Sequence, residues 1–511
     1  MKIAVFGTGL SSYGCIKGLL DKGFLPDVYD IGEEEKKNTK KLLKKLGKKK
    51  IDNWSKNDHK IMENLSSNKK NKFRKFFLND DYVYKDYFKD KLNLENNIVY
   101  SNAKGGFSNV WSASAFPLNS IFLNKWDKRA TPTREDYKKI IDSVPYFEGK
   151  NNFKKFFYSF KKENNIRKTS NISNYIFENL NKINNNNFFS GQTSCFVNFE
   201  KKNNHNCQYC GYCYTGCVYN SIFNSKFEIE KFEKFKKIKF FNNFELNNFY
   251  EEKNKVFLSV FHNKKIKILT YDKVFIAIGA FKSTKVLANS LNIKNKGIKL
   301  NFAPSFIVPG FFNNKSGIEL KQNTLPSNSF LLKSKSKIIY GHFSEINEII
   351  LNFFKYYKFG NFYKKIINFI LKKFFFIQLQ CGFEKNFYYF IYFDKKSDVK
   401  FIQKSFDYKK RINAILKILN KQFRKINFYL LKNLIQVPSL KDNYYLGCSF
   451  PMSKKKNKFK TDYNGRPYGF QNVHIVDSSI FQSIPSVGFG FLLMANSYRI
   501  VRETFKKNKS F

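Results

Sequence analysis

Four of the chain's eight cysteines fall within eleven residues, as Cys207-x2-Cys210-x2-Cys213-x3-Cys217. Thiolates are soft metal ligands, and this spacing matches the run with which bacterial ferredoxins hold iron–sulfur clusters, except that Val218 stands where proline usually follows. Gly211 and Gly216 let the 205–218 loop wrap a compact [4Fe-4S] cubane, with Cys217 or a remote thiol such as Cys195 as the fourth ligand. Two other readings stay open. One is a reduced, metal-free loop; the other is zinc, although tetrahedral zinc sites usually draw two knuckles from separated segments. His205 lies near the run, but a single histidine beside a cysteine-rich loop is more often incidental than a ligand. Cysteines grouped in this way fit a reducing compartment, the cytoplasm by default, rather than a disulfide framework.

A second pattern opens the chain. Ile3 to Phe6 reads as a short buried strand, followed by Gly7-Thr8-Gly9-Leu10-Ser11-Ser12, a helix to about Lys22, and a second strand, Asp27-Val28-Tyr29-Asp30. Gly7 permits the tight turn and Gly9 lets the backbone approach a pyrophosphate at the helix N-terminus, while Ser12 holds the third glycine position. Asp30 closes the second strand, where an acid accepts hydrogen bonds from ribose hydroxyls. Together these predict a dinucleotide-binding unit, without separating FAD from NAD.

Three later segments make that separation. Gly105-Gly106-Phe107-Ser108-Asn109-Val110-Trp111, Ala277-Ile278-Gly279-Ala280-Phe281-Lys282-Ser283-Thr284, and Asn472 to Phe481 running on to Leu493-Met494-Ala495-Asn496 follow the fingerprint in order. The four pieces together resemble the glucose–methanol–choline (GMC) oxidoreductases, most closely the bacterial branch associated with polysaccharide biosynthesis, whose characteristic tetrapeptide Ser449-Phe450-Pro451-Met452 resembles. The resemblance implies an α/β fold: a discontinuous Rossmann-type FAD-binding domain from 1–125, 200–300 and 440–511, and an α+β substrate domain from 126–199 and 301–439. It also implies that Gly105, Gly106 and Ser108 form the flavin-edge loop, and that Asp477 and Ser478 approach the flavin's ribityl and pyrophosphate portions. The activity implied is oxidation of an alcohol or sugar carbinol, with hydride passing to flavin. An iron–sulfur relay to an electron acceptor would favour a dehydrogenase over an oxidase.

The family's catalytic pattern fails here. Its proton-abstracting histidine precedes a glycine turn, and in Asn443-Tyr444-Tyr445-Leu446-Gly447-Cys448 that place is held by Tyr444 or Tyr445. The partner position falls on Gly488. A tyrosine with a pKa near 10 is a poor base at neutral pH, so Tyr445 either has a neighbouring cation or orients a hydroxyl. His474, in the middle of the last strand, reads as a packed residue. A non-catalytic flavin and iron–sulfur carrier is therefore an alternative.

The formal charge of +52, from 92 Lys+Arg against 40 Asp+Glu, raises a charge-driven nucleic-acid binder as a further alternative. The lysines are spread along the whole chain, however, alongside abundant Asn, Ile, Phe and Tyr, as codon drift in an AT-rich genome produces and a binding patch does not. Residues 33–90 read as charged surface helices, residues 236–277 as strands, and residues 300–440 carry no motif. Ile346 to Phe354 and Ile366 to Phe374 show apolar residues at helical spacing flanked by Lys, which fits helices covering a sheet or peripheral contact with a membrane. No apolar run is long enough to span one.

Overall fold

The structure, a computed structural model, describes residues 1–66, 81–86, 98–160, 165–200, 205–213, 216–294, 296–312, 325–334, 337–345, 373–381, 387–393, 399–403, 408–436 and 445–506. The protein is a mixed α/β molecule built around one parallel sheet. Strands β1 (Ile3–Phe6), β2 (Asp27–Tyr29), β3 (Lys239–Phe241), β4 (Lys273–Ile276) and β5 (Val473–Ile475) lie in the order β5-β4-β1-β2-β3, all parallel. Strands covered on both faces read as near-continuous apolar runs, and Ile3-Ala4-Val5-Phe6 is buried throughout. The first strand of the chain and the last thus share a sheet, two places apart.

Helices α1 (Leu10–Asp21), α2 (Ser225–Lys234), α3 (Ala280–Ser290) and α4 (Gly490–Thr504) surround this sheet. Helix α1 lies against α4 so closely that a Cβ on Gly14 would sit 2.1 Å from the Met494 carbonyl oxygen, and one on Gly18 3.1 Å from Val501 Cβ. This close helix–helix contact is made by Gly14, two residues beyond Ser12.

Between β3 and β4 the chain makes a three-stranded antiparallel meander, Phe244–Glu252, Lys255–His262 and Lys265–Tyr271. The segment without readable motifs forms antiparallel sheet. Six strands run in the order Phe428–Leu430, Ser305–Phe312, Phe374–Cys381, Lys337–Glu345, Asn328–Ser334, Phe188–Gln192. Period-two alternation gives this sheet two unlike faces. One carries Phe188, Phe330, Phe343, Phe375 and Phe428, which meet Phe423 of the helix Tyr408–Arg424 directly or through one another. The other carries Ser329, Tyr340, His342, Gln378 and Gln380, paired across strands as Ser329↔His342, His342↔Gln378 and Tyr340↔Gln380.

The lysine-rich excursion after β2 contains helices at Lys37–Gly47 and Lys56–Ser66, but these are more than a surface layer. Leu46, Ile51, Trp54 and Met62 are buried with Tyr212, Val218 and Tyr219 in a small second core, so the excursion packs over the cysteine loop. The two lysine-flanked apolar segments at 346–354 and 366–374 lie outside the described residues, apart from the last two positions. No helix among the described residues is long and apolar enough to cross a membrane.

Candidate functional site

The ends of β1, β2 and β4 open into one cleft of about 280 Å³, lined among others by Gly7, Gly9, Asp30, Gly106, Lys282 and Asp477. Its backbone is shaped by glycine. Gly7 has φ +102°, and a Cβ there would meet the Ala277 carbonyl oxygen at 2.4 Å. Gly9 differs: a Cβ would have nothing nearer than the Gly105 carbonyl oxygen at 4.0 Å, and would project into open cleft. Gly279, with φ +88°, likewise has nothing within 4 Å of a Cβ. Gly9 and Gly279 are the N-terminal caps of α1 and α3, so two helix N-termini with their partial positive charge face the same space.

The polar side chains of the fingerprint mostly bond to one another. The Thr8 hydroxyl donates to Asp30 and accepts the Gly105 N–H at 2.8 Å. Ser108 lies deeper still, its hydroxyl 2.6 Å from the Gly105 carbonyl oxygen, 2.8 Å from Asn224 Oδ1 and 2.9 Å from Ser225 Oγ. Ser225 closes the knot by donating to the Thr8 carbonyl at 2.9 Å. Asn224 and Ser225 carry no motif signal, although an Asn-Ser pair opening a helix is a capping pattern. The Ser12 hydroxyl is buried with no hydrogen-bond partner among the described residues. Burial pushes the Asp30 carboxyl up to about 6, against the Thr8 hydroxyl bond and the Lys282 charge, which pull it down. Lys282 is itself 14% exposed, held by Asn102 Oδ1 at 2.7 Å and Glu245 at 3.5 Å, and burial lowers its pKa.

Asp477 fastens the opposite wall. One carboxylate oxygen accepts from the Gly279 N–H at 3.0 Å and the Ser283 hydroxyl at 2.5 Å, and the other from the Ser479 N–H at 3.0 Å and hydroxyl at 2.7 Å. Burial nonetheless raises its pKa. Ser478 donates to the Leu446 carbonyl at 2.7 Å and so links this wall to the turn bearing Tyr445. Tyr444 lies outside the described residues.

At the far end of the cleft, Leu446 and Phe489 lead to the polar face of the six-stranded sheet. The partly buried Tyr445 ring meets Phe489 edge-on at 5.3 Å, and its phenol bonds Gln380. Burial raises its pKa, which disqualifies it as a base at neutral pH. Tyr340, next to Gln380, bonds Ser329 at 3.0 Å and also Ser114 and Thr193. The His342 ring is 5.7 Å from that of Tyr340 on the same sheet face, and the residue is 5% exposed. Of the other histidines, His474 is packed in β5, where burial lowers its pKa to about 3, and the rest lie on Trp54, Tyr219 and Phe244. His342 has no motif, and only strand pairing across 36 to 40 residues of chain reveals it.

The cysteine loop borders the same region, since the small core beneath it shares Ala103 and Phe107 with the cleft wall. Cys207 is buried and Cys210, Cys213 and Cys217 are partly buried. Cys217 Sγ accepts the Ser221 N–H at 3.3 Å and lies 3.0 Å from the Ser221 hydroxyl. Among the described residues no group of three or more His, Cys, Asp and Glu is arranged to hold a metal ion, so the geometry lends the iron–sulfur expectation no support.

No protein-family model matches the sequence, and no curated protein matches it. Among solved structures, pyridoxine 4-oxidase from Mesorbium loti matches with a TM-score of 0.60 over 98% of both chains, at 9% sequence identity. The chain therefore has the fold of that protein along essentially its whole length, an α/β architecture that the first and last strands close together.

Proposed function

We propose that this protein is an FAD-dependent oxidoreductase that takes hydride from the carbinol carbon of an alcohol or sugar. The observation that carries the reading is the cleft, which runs from Asp30 past open backbone at Gly9 and Gly279 and two helix N-termini to Leu446 and Phe489. A long, doubly anionic dinucleotide is the cofactor class that such a groove suits, since its phosphates need bare N–H groups and its rings need apolar walls. The bare positions at Gly9 and Gly279 are a cradle that any side chain would fill, and the residues present fit FAD. The structural neighbour's name, an oxidase of pyridoxine, agrees with this class of chemistry.

In this reading 1–125, 200–300 and 440–511 form the FAD-binding domain and most of the rest the substrate domain. Gly7, Gly9 and the N-terminus of α1 hold the pyrophosphate, Asp30 the ribose, Gly105 and Gly106 the far side of the cofactor, and the Asp477–Ser478 turn the flavin end. FAD bound there would supply the hydride acceptor. Tyr445 and Gln380 orient the substrate hydroxyl. His342, the imidazole on this sheet face, accepts its proton. The expectation of a dehydrogenase rests on the cysteine run as an electron relay, so oxygen consumption during turnover decides between dehydrogenase and oxidase.

The test is an absorption spectrum of protein purified without oxygen and reconstituted with FAD, with iron and labile sulfide assayed on the same sample and alcohols and sugars added anaerobically. A flavin spectrum that bleaches with a carbinol substrate supports the proposal. A protein that retains no flavin after reconstitution refutes it.

A further inference from the structure

The segment between β5 and α4 runs from the polar sheet face to the cleft. At one end the Ser486 hydroxyl donates to the Ile338 carbonyl at 2.7 Å, on the strand that carries Tyr340 and His342. At the other, Phe489 lines the cleft and meets the Tyr445 ring. Gly488, half-buried, stands between them. Two other glycines of this neighbourhood are fixed by packing. A Cβ on Gly447 would lie 2.5 Å from the Ser478 carbonyl oxygen, and one on Gly490 2.5 Å from the Trp111 ring. Gly488 differs from both. Its φ lies outside the left-handed region, and among the described residues a Cβ there would have one atom within reach, the Tyr445 Oη at 4.0 Å. Neither backbone conformation nor packing calls for glycine, and what the missing side chain leaves is space in front of the phenol.

That space has a definite relation to the chemistry. A hydroxyl bonded to the Tyr445 phenol at about 2.8 Å brings its own carbon to within about 4 Å of the phenol oxygen. A Cβ at position 488 would stand in the same shell, and so compete with the groups that this carbon bears. The wall beside it is aromatic, since Phe489 packs edge-on against both Tyr445 and Phe481. An apolar wall suits a carbon substituent.

We infer that Gly488 determines specificity. The space it leaves takes the second carbon substituent of a secondary carbinol, such as a ring hydroxyl of a sugar, and a side chain there would restrict the site to terminal hydroxymethyl groups. The inference rests on the flavin reading and on Tyr445 orienting the hydroxyl.

The experiment uses the FAD-reconstituted protein and two probes that differ by one methyl group on the carbinol carbon, benzyl alcohol and 1-phenylethanol. In the unsubstituted protein, anaerobic flavin bleaching should be at least as efficient with 1-phenylethanol. Gly488→Ala should lower kcat/KM for 1-phenylethanol by about 10- to 200-fold and leave that for benzyl alcohol within about twofold. Acetophenone carries the same methyl group and no carbinol hydrogen. Its affinity, read at equilibrium from its perturbation of the oxidised flavin spectrum, should fall by a similar factor. A methyl group at position 488 meets no close atom, so the urea midpoint and FAD affinity of the variant should not fall. Equal loss for the two alcohols would mean that position 488 acts on Tyr445 rather than on the substituent, and would overturn the inference. So would no loss for either, or unsubstituted protein whose flavin is bleached by benzyl alcohol alone or by neither alcohol. A protein that retains no flavin fails at an earlier step, and sinks the flavin reading together with this one.

Discussion

Gly7 and Gly9 are two residues apart, yet the structure gives them opposite sensitivities to the same small change. At Gly9 the backbone is extended, with φ −75° and ψ −168°, a conformation open to any residue. A methyl group added there meets nothing nearer than 4.0 Å and projects into the cleft. Gly9→Ala should therefore leave the apo protein as stable as before or up to about 1 kcal/mol more so, because alanine restricts the unfolded chain. It should nevertheless exclude a phosphate from the turn. Losing two charge-assisted N–H contacts of about 1.5–3 kcal/mol each amounts to roughly 3–6 kcal/mol. That corresponds to about 10²- to 10⁴-fold in Kd for FAD. At Gly7, φ +102° costs an alanine about 1–3 kcal/mol. The 2.4 Å approach to the Ala277 carbonyl must also be relieved by moving the end of β4, which adds about 1–3 kcal/mol. Gly7→Ala should thus lower the apo protein's urea midpoint, while Gly9→Ala should not. The assay pairs urea unfolding of the apo forms with a flavin-fluorescence titration of each. Wild-type flavin affinity in Gly9→Ala would refute the placement of phosphate at this turn, and equal destabilisation by the two changes would refute the geometry.

Asp30 gives a pH signature. Its folded pKa of about 6 lies above the ordinary aspartate value of 3.8, so the stability linked to its protonation is complete below 3.8 and lost as pH rises through about 6. Replacing it by Asn should flatten the apo protein's stability between those pH values by an amount on the order of 2–3 kcal/mol, measured by urea unfolding across the range. Asp477→Asn keeps the shape but presents an amide donor to donors at Gly279, Ser283 and Ser479, and should cost about 2–4 kcal/mol in the same assay. His342→Gln should lower kcat about 10²-fold or more with FAD binding unchanged. Tyr445→Phe should instead act chiefly on KM, about tenfold, with kcat retained; a loss confined to kcat would reassign the proton transfer to Tyr445.

What could be read from the sequence was local. The strand, glycine turn, helix and second strand at the N-terminus occupy thirty consecutive residues, and each step has its own residue signature. The strand-to-helix turn at Gly279 and the Asp477 strand are similarly compact, and both stand in the parallel sheet beside β1. The close approach of α1 to α4 was also accessible, since Gly14 and Gly18 stand four apart on one helix face. The polar sheet face was not. Tyr340, His342 and Gln380 become neighbours only through antiparallel register, and no fixed spacing along the chain encodes it. The cysteine run shows the converse limit. Its spacing is conspicuous, but spacing does not fix where thiol groups point, and Cys217 is turned to Ser221.

The motif residues themselves divide into two kinds. Thr8, Ser108 and Asp477 look from sequence like groups that would touch a cofactor, yet their hydrogen-bonding capacity goes largely into the protein. Thr8 ties β1 to the Gly105 loop and Asp30, Ser108 ties that loop to the cap of α2, and Asp477 ties β5 to the start of α3. What they leave uncommitted is backbone at Gly9 and Gly279, the open ends of two helices, and space. A side chain reaching for phosphate would pay rotamer entropy on each binding event, whereas N–H groups fixed by a buried hydrogen-bonded frame are already in place. Substitutions in the frame should therefore appear first as lost stability and only secondarily as lost affinity, while substitutions at the bare glycines should do the reverse. Thr8, Ser108 and Asp477 are thus better understood as builders of the cleft than as ligands to what fills it.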